Sequence, residues 1–151
     1  MTVLEPSAGK GSLLDAVTRQ VGSDVDITAI EQYGGLAKII EAKGYKVQQD
    51  DFMNLPTEQK FDRIISNPPF EKGQDMTHVQ KMYEHLNPGG KLVAIMGEGG
   101  FFRGDKQSTA FRDWLDNLGG ESEKLPENSF KTSDNPTGVN TRLVTITKPS
   151  K

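Results

Sequence analysis

Thr2-Val3-Leu4-Glu5-Pro6-Ser7-Ala8-Gly9-Lys10-Gly11-Ser12-Leu13-Leu14 passes from a short apolar run through a glycine turn into a second apolar pattern. Thr2 to Glu5 reads as a strand. Gly9 and Gly11 supply the backbone freedom of a tight turn. Leu13, Leu14, Val17 and Val21 then recur at helical spacing. The alternation continues to the end of the chain. Asp26 to Glu31 forms a second strand, and Leu36, Ala37, Ile39 and Ile40 line a helix capped by Gly44. Lys46 to Gln49 forms a third strand ending in Asp50-Asp51-Phe52, and Asp62 to Ser66 a fourth. Val79, Met82, Tyr83 and Leu86 mark a helix that stops at the turn Asn87-Pro88-Gly89-Gly90. Lys91 to Met96 is a fifth strand. Phe111, Trp114, Leu115 and Leu118 form an apolar stripe with Ser108 as N-cap and Gly119 past its end.

Residues 121–125 and Arg142 to Thr147 complete the strands, with no helical pattern between them. Residues 126–140 carry two prolines and a glycine, which suits a loop joining an antiparallel pair. The pattern predicts one α/β unit over residues 1–151. Its sheet is Rossmann-like and doubly wound, seven-stranded and mostly parallel, with an antiparallel last strand. A ligand is expected at the C-terminal ends of the strands.

Composition narrows the function only by exclusion. The 151 residues suit one domain with a single core, with 34% hydrophobic and 26% charged residues. No apolar run approaches the roughly 20 residues of a membrane span, and Met1-Thr2-Val3-Leu4 runs at once into acid, proline and glycine, unlike a signal peptide. A soluble, cytoplasmic protein with no membrane partner is expected. Without cysteine there are no disulfides, thiolate metal sites or cysteine nucleophiles. His78 and His85 have no carboxylate or cysteine cluster beside them in sequence, so no metal is expected. A formal charge of -3 argues against coating nucleic acid by bulk electrostatics, while leaving a local basic surface open.

The turn Glu5 to Gly11 admits several readings. It can be a plain strand–helix turn. A dinucleotide fingerprint wants a third glycine where Leu14 stands, and a phosphate loop wants Gly-Lys-Ser/Thr rather than Lys10-Gly11-Ser12. Three successive strand ends bear acids: Glu5, Glu31 and Asp51. Such acids repel a pyrophosphate and suit an adenosine-containing cation. Glu31 can accept from both ribose hydroxyls, and Asp51 from an adenine amino group with Phe52 against the ring.

Asn67-Pro68-Pro69-Phe70, directly after the fourth strand, resembles the catalytic motif of class I S-adenosylmethionine-dependent methyltransferases that modify amino or amide nitrogens, the adenine-N6 DNA enzymes among them. The resemblance covers nearly the whole chain. It implies a cofactor loop at Glu5, Pro6, Ser7, Ala8, Gly9 and Gly11, a ribose acid at Glu31, an adenine pair at Asp51 and Phe52, and Asn67 beside the methyl group. It implies S-adenosyl-L-methionine as cofactor and S-adenosyl-L-homocysteine as product. Asn67, Pro68, Pro69 and Phe70 are then the catalytic residues. The Asn67 side-chain carbonyl and Pro68 backbone carbonyl each accept an N–H of the target nitrogen, the prolines stiffen the loop, and Phe70 stacks on a planar substrate.

Phe101, Phe102 and Arg103 follow the fifth strand and are candidate substrate contacts, either as a lid or as groups that dock the loop on the core. Phe130, before the last strand, is a candidate second wall for a base. Arg103, Lys106, Arg112, Lys131 and Arg142 make a candidate positive rim. The pattern lacks the segment that often precedes the first strand in this family and a separate target-recognition domain, which leaves three readings open: a catalytic domain of a larger protein that supplies recognition, a partial piece, or a minimal enzyme. The substrate implied is nucleic acid, DNA before RNA. Glutamine-amide methylation of a protein and a non-catalytic cofactor- or nucleic-acid-binding module stand as the alternatives.

Overall fold

A computed structural model of the chain describes residues 2–6, 26–68, 73–125 and 141–150. The strands are β1 (Thr2–Glu5), β2 (Asp26–Ile30), β3 (Lys46–Gln48), β4 (Phe61–Ser66), β5 (Leu86–Gly97), β6 (Glu121–Lys124) and β7 (Thr141–Thr147). The helices are α1 (Gly34–Ala42), α2 (Gln74–Glu84), the single turn α3 (Gly99–Phe102) and α4 (Lys106–Asn117), with a 3-10 turn at Phe52–Asn54. The expected helix at Leu13 to Val21 and the loop at 126–140 lie outside the described residues.

The strands form one seven-stranded sheet in the order β3-β2-β1-β4-β5-β7-β6. β1 to β5 pair in parallel, and β7 runs antiparallel to β5 and to β6. This is the mostly parallel α/β sheet read from the sequence. Chain order reverses between β1 and β4, which makes their C-terminal ends the expected ligand crevice.

Register explains the core. Leu4, Ile64, Leu92 and Ile146 are successive cross-strand partners, so they form one row across β1, β4, β5 and β7 on the same face. All four are at most 1% exposed, and α2 and α4 cover the row with Met76, Val79, Met82, Phe111 and Leu115. Each such side chain contributes roughly 1.5–3 kcal/mol of burial. On the opposite parity, Ala29 joins Ile40 of α1 in a second cluster with Ile27, Tyr45 and Val47. Among the described residues no helix is long and apolar enough to cross a membrane.

Two local expectations need correction. Leu86 does not continue the helix, because it already pairs with Phe61 as the first residue of β5. Asn87 to Gly90 then bulge opposite Asp62 before Lys91 resumes the register with Arg63. Asp62 holds the bulge: Asn87 Nδ2 donates to its Oδ1 (3.1 Å), and the Thr2 N–H donates to its Oδ2 (3.0 Å). Gly89 has φ +80°, and a Cβ on Gly90 would lie 2.8 Å from the Asn87 carbonyl oxygen, so both glycines are required there. The N-cap of α4 is Asp105 rather than Ser108. Asp105 Oδ2 accepts from the Ser108 N–H (3.1 Å) and its Oδ1 from the Ser108 hydroxyl (2.7 Å), while Ser108 itself is fully buried.

Candidate active site

Because β1 to β4 are parallel, Glu5, Glu31, Asp51 and Asn67 all emerge at one rim of the sheet. Leu4 pairs with Ile64, so Glu5 stands level with Ile65 and Asn67 just beyond it on the neighbouring strand. Glu5 and Glu31 are 1% and 6% exposed, so these rim acids are held within the fold. Pro6 and Pro68 are buried beside them. Ser7, Ala8, Gly9, Gly11, Pro69, Phe70 and Phe130 lie outside the described residues.

Asn67 directly follows the last residue of β4. Its Oδ1 is buried and accepts no hydrogen bond, and neither does the buried Ser66 Oγ. An unsatisfied buried polar atom costs about 1–3 kcal/mol. Among the described residues such atoms also occur on His78, His85, Glu98 and Arg142, and only Ser66 and Asn67 carry them on consecutive residues, at the predicted ligand crevice. The end of β4 thus carries a buried carbonyl acceptor with no donor from the chain. Ser66 was not singled out in sequence, since a serine ending a strand carries no local signal.

The two outer acids share a construction. The Tyr33 N–H donates to Glu31 Oε2 (3.0 Å), and the Met53 N–H donates to Asp51 Oδ1 (3.0 Å). Each carboxylate is thereby fixed, and each turn presents a large side chain to solvent: Tyr33 at 63% and Met53 at 40% exposure. Phe52 does the opposite. Its ring is 2% exposed and packs between His78 (5.7 Å) and His85 (5.5 Å), with Lys81 Nζ 5.7 Å from its centroid. The expectation that Phe52 lies against an adenine ring is therefore corrected: the ring is committed to the core, and the exposed groups beside the acids are Tyr33 and Met53. Burial pushes the pKa of His78 below the ordinary imidazole range, against an opposing pull from Asp51.

On the β5 side, the pair Phe101-Phe102 divides. Phe101 is half-buried and meets Phe111 edge-on at 6.1 Å, so it docks the segment on the core rather than facing a substrate. Phe102 is 68% exposed. The expected cationic rim divides as well. Arg112 donates from Nη1 to the carbonyls of Gly100 (3.0 Å) and Arg103 (2.8 Å), closing the turn. Arg142 lies 5.1 Å from the Phe101 centroid and 5.5 Å from that of Phe102, with its Nε 3.6 Å from Glu98 Oε1. Arg103 and Lys106 remain exposed.

One residue that sequence reading passed over joins the two halves of the site. Asp75, 5% exposed, opens α2 and accepts from the Gly97 N–H through Oδ2 (3.0 Å) and from the Met76 N–H through Oδ1 (3.0 Å). Burial raises its pKa, and those hydrogen bonds oppose the rise. Beside it is a small cavity of about 80 Å³, lined by Asp75, Met76, Arg103 and glycines of the same two segments. In sequence Asp75 looks like an ordinary acid in a helix's first turn, which is why it went unnoticed.

Comparison with known proteins agrees with this fold. Residues 7–99 match the family model of the methyltransferase small domain. The ribosomal RNA small subunit methyltransferase C of Photorhabdus laumondii is 37% identical over 79 residues, which cover 48% of this chain and 23% of that protein. The chain thus spans about a quarter of that relative's length. A Listeria monocytogenes protein described as a class I S-adenosylmethionine-dependent methyltransferase superposes with a TM-score of 0.73 at 17% identity, over 98% of this chain and 53% of that one. The M protein of the type I restriction enzyme EcoKI superposes with a TM-score of 0.70 at 20% identity, over 97% of this chain and 39% of that one. At such identities the two structures speak for the fold.

Proposed function

Because the chain belongs to the methyltransferase small domain family, we propose that it is an S-adenosylmethionine-dependent N-methyltransferase acting on an exocyclic amino group of a nucleic-acid base, adenine N6 in DNA foremost. The observation that carries this reading is the buried, unpartnered Oδ1 of Asn67 at the end of β4. An exocyclic amino nitrogen is a weak nucleophile because its lone pair is delocalised into the ring. Asn67 Oδ1 and the Pro68 carbonyl each accept one N–H, which turns the lone pair out of the ring plane and along the line of attack. Pro69 stiffens the loop, and Phe70 covers one face of the base.

The cofactor supplies an electrophilic methyl group on a sulfonium sulfur. The residues present fit it. Glu31, fixed by the Tyr33 N–H, receives the ribose hydroxyls, and Asp51, fixed by the Met53 N–H, receives the adenine amino group. Tyr33 and Met53 take the place at the adenine ring that the buried Phe52 cannot. Glu5 and Pro6, followed in the chain by Ser7, Ala8, Gly9 and Gly11, are the residues that would hold the amino-acid end, where carboxylates suit a cation. Support for a nucleic-acid substrate comes from the relative named for ribosomal RNA methylation.

The test separates binding from chemistry. Glu31→Ala is expected to weaken S-adenosylhomocysteine in calorimetry by about 1.5–3 kcal/mol, the worth of hydrogen bonds to a charged acceptor. Asn67→Ala is expected to leave that affinity nearly unchanged and to lower methyl transfer from tritiated cofactor to DNA or RNA about 10²–10³-fold. Collapse of cofactor binding in Asn67→Ala would make Asn67 a structural residue. Label entering a glutamine-containing protein, and neither nucleic acid, would move the activity to amide methylation.

A further inference from the structure

We propose that Phe102 is a stacking platform for the nucleotide beside the target base, on a single-stranded or locally opened nucleic acid. The inference rests on the nucleic-acid reading above and adds the surface that receives the flanking strand.

An exposed phenylalanine on a loop would ordinarily fold back onto apolar neighbours. Phe102 is kept from doing so. It ends the α3 turn, whose other aromatic, Phe101, is anchored edge-on to Phe111 of α4. The turn is closed from below by Arg112, which donates to the carbonyls of Gly100 and Arg103. Arg142 reaches from β7, where it pairs with Met96, and lies against both rings. Its Nη1 donates to Ser122 Oγ (3.3 Å), which fixes the guanidinium from the β6 side. Phe102 is therefore a ring on an anchored turn, 68% exposed, with Arg142 against it.

The surroundings select the occupant. Arg103 follows Phe102 immediately and is exposed, with its guanidinium laid against Gly99 so closely that a Cβ there would fall 2.7 Å from it. Lys106, also exposed, opens α4 one turn later. Asp105 stands between these two cations and Arg103 also feels Asp75, so the local charge is mixed, with a cationic excess among the exposed groups. An exposed aromatic face bordered by exposed cations is the pattern that holds single strands, with the base on the ring and the phosphate on the cations. The neighbouring cavity of about 80 Å³ is far below the roughly 300–1,000 Å³ of a pocket that encloses a ligand, so the contact is made on the surface.

Position completes the argument. Ser66 at the end of β4 pairs with Ala94, and Gly97 lies three residues further along β5. At about 3.3 Å per residue α3 rises from β5 roughly 10 Å beyond the level of Ser66, on the strand adjacent to Asn67. A nucleotide next to the one held at Asn67 reaches that height.

The experiment titrates the full chain into short single-stranded oligonucleotides of dA or dC carrying one 2-aminopurine, at low and moderate salt. Stacking quenches the probe. The wild type is expected to bind and quench at a flanking position. Phe102→Ala is expected to lose the quench and bind about 10-fold more weakly, with cofactor affinity and melting temperature unchanged. Phe102→Trp restores both. If the wild type binds and Phe102→Ala binds and quenches equally well, the platform is wrong while the base-methylation reading stands. If the wild type binds neither oligonucleotide at low salt, both fall.

Discussion

At the residue scale, adjacent side chains in this site have opposite fates. Asp51 and Phe52 follow one another, yet the carboxylate stays at the rim and the ring enters the core between His78 and His85. The 3-10 turn begun by Asp51 makes the difference, since it turns Phe52 inward and Met53 outward. Two alanine variants check this. Phe52→Ala should lower stability by about 3–5 kcal/mol, the usual cost of emptying a buried aromatic site. Tyr33→Ala should change stability by less than about 0.5 kcal/mol, as for other exposed positions, and should weaken S-adenosylhomocysteine in calorimetry. A Phe52→Ala protein that melts normally and binds cofactor poorly would return the adenine contact to Phe52.

At the element scale, the start of α2 is clamped to the end of β5 and to α4. Asp75 at the start of α2 holds the Gly97 N–H, and Gln107 of α4 donates to the Gly73 carbonyl (3.2 Å). Gly73 has φ +74°, a left-handed conformation that L side chains rarely adopt, so the backbone at this position favours glycine. The clamp sets the height of α3 relative to β4. Asp75→Ala leaves two buried N–H groups without an acceptor and should cost about 1–3 kcal/mol for each. Thermal melting measures that loss, and amide exchange at Gly97 should quicken well beyond the change at Leu92 in mid-strand. Uniform exchange along β5 would show that Asp75 does not pin the strand end.

At the scale of the whole molecule, buried ionisable groups tie stability to pH. Burial pushes His78 and His85 below the ordinary imidazole range. Asp51 opposes this at His78, and the hydrogen bond to the Gln59 carbonyl opposes it at His85, where Lys81 and Lys60 push further down and Glu84 pulls up. Unfolded histidines titrate near 6.5. Below that pH the unfolded chain therefore binds more protons than the folded one, and stability falls on acidification. Asp62 and Asp105 have lowered pKa values, so their contribution holds until the pH drops below about 3.9. Asp75 works the other way, because protonation relieves the burial of its raised carboxylate. The melting temperature should be lower at pH 5.5 than at pH 7.5, conditions about one unit either side of that histidine value. The His78→Gln/His85→Gln double variant should flatten the difference, and an undiminished slope would assign it to other groups.

The sequence by itself determined the α/β class, the strand positions, the antiparallel end of the sheet and the order of acids along the rim. Those follow from local periodicity, turn chemistry and parallel pairing, and β1, β2, β4 and β7 match their sequence bounds to within a residue. The sequence also singled out Asn67, because a proline-stiffened asparagine after an apolar strand is a local pattern. Only the tertiary structure decided which neighbours face in or out: Phe52 inward and Tyr33 outward, Phe101 docked and Phe102 exposed, Arg142 engaged with both rings and Arg103 exposed. It alone revealed Asp75 as the tie between two segments and Asn67 Oδ1 as an acceptor without a donor. These are properties of pairs distant in the chain, and a local pattern carries no information about which partner a side chain meets once the sheet has assembled.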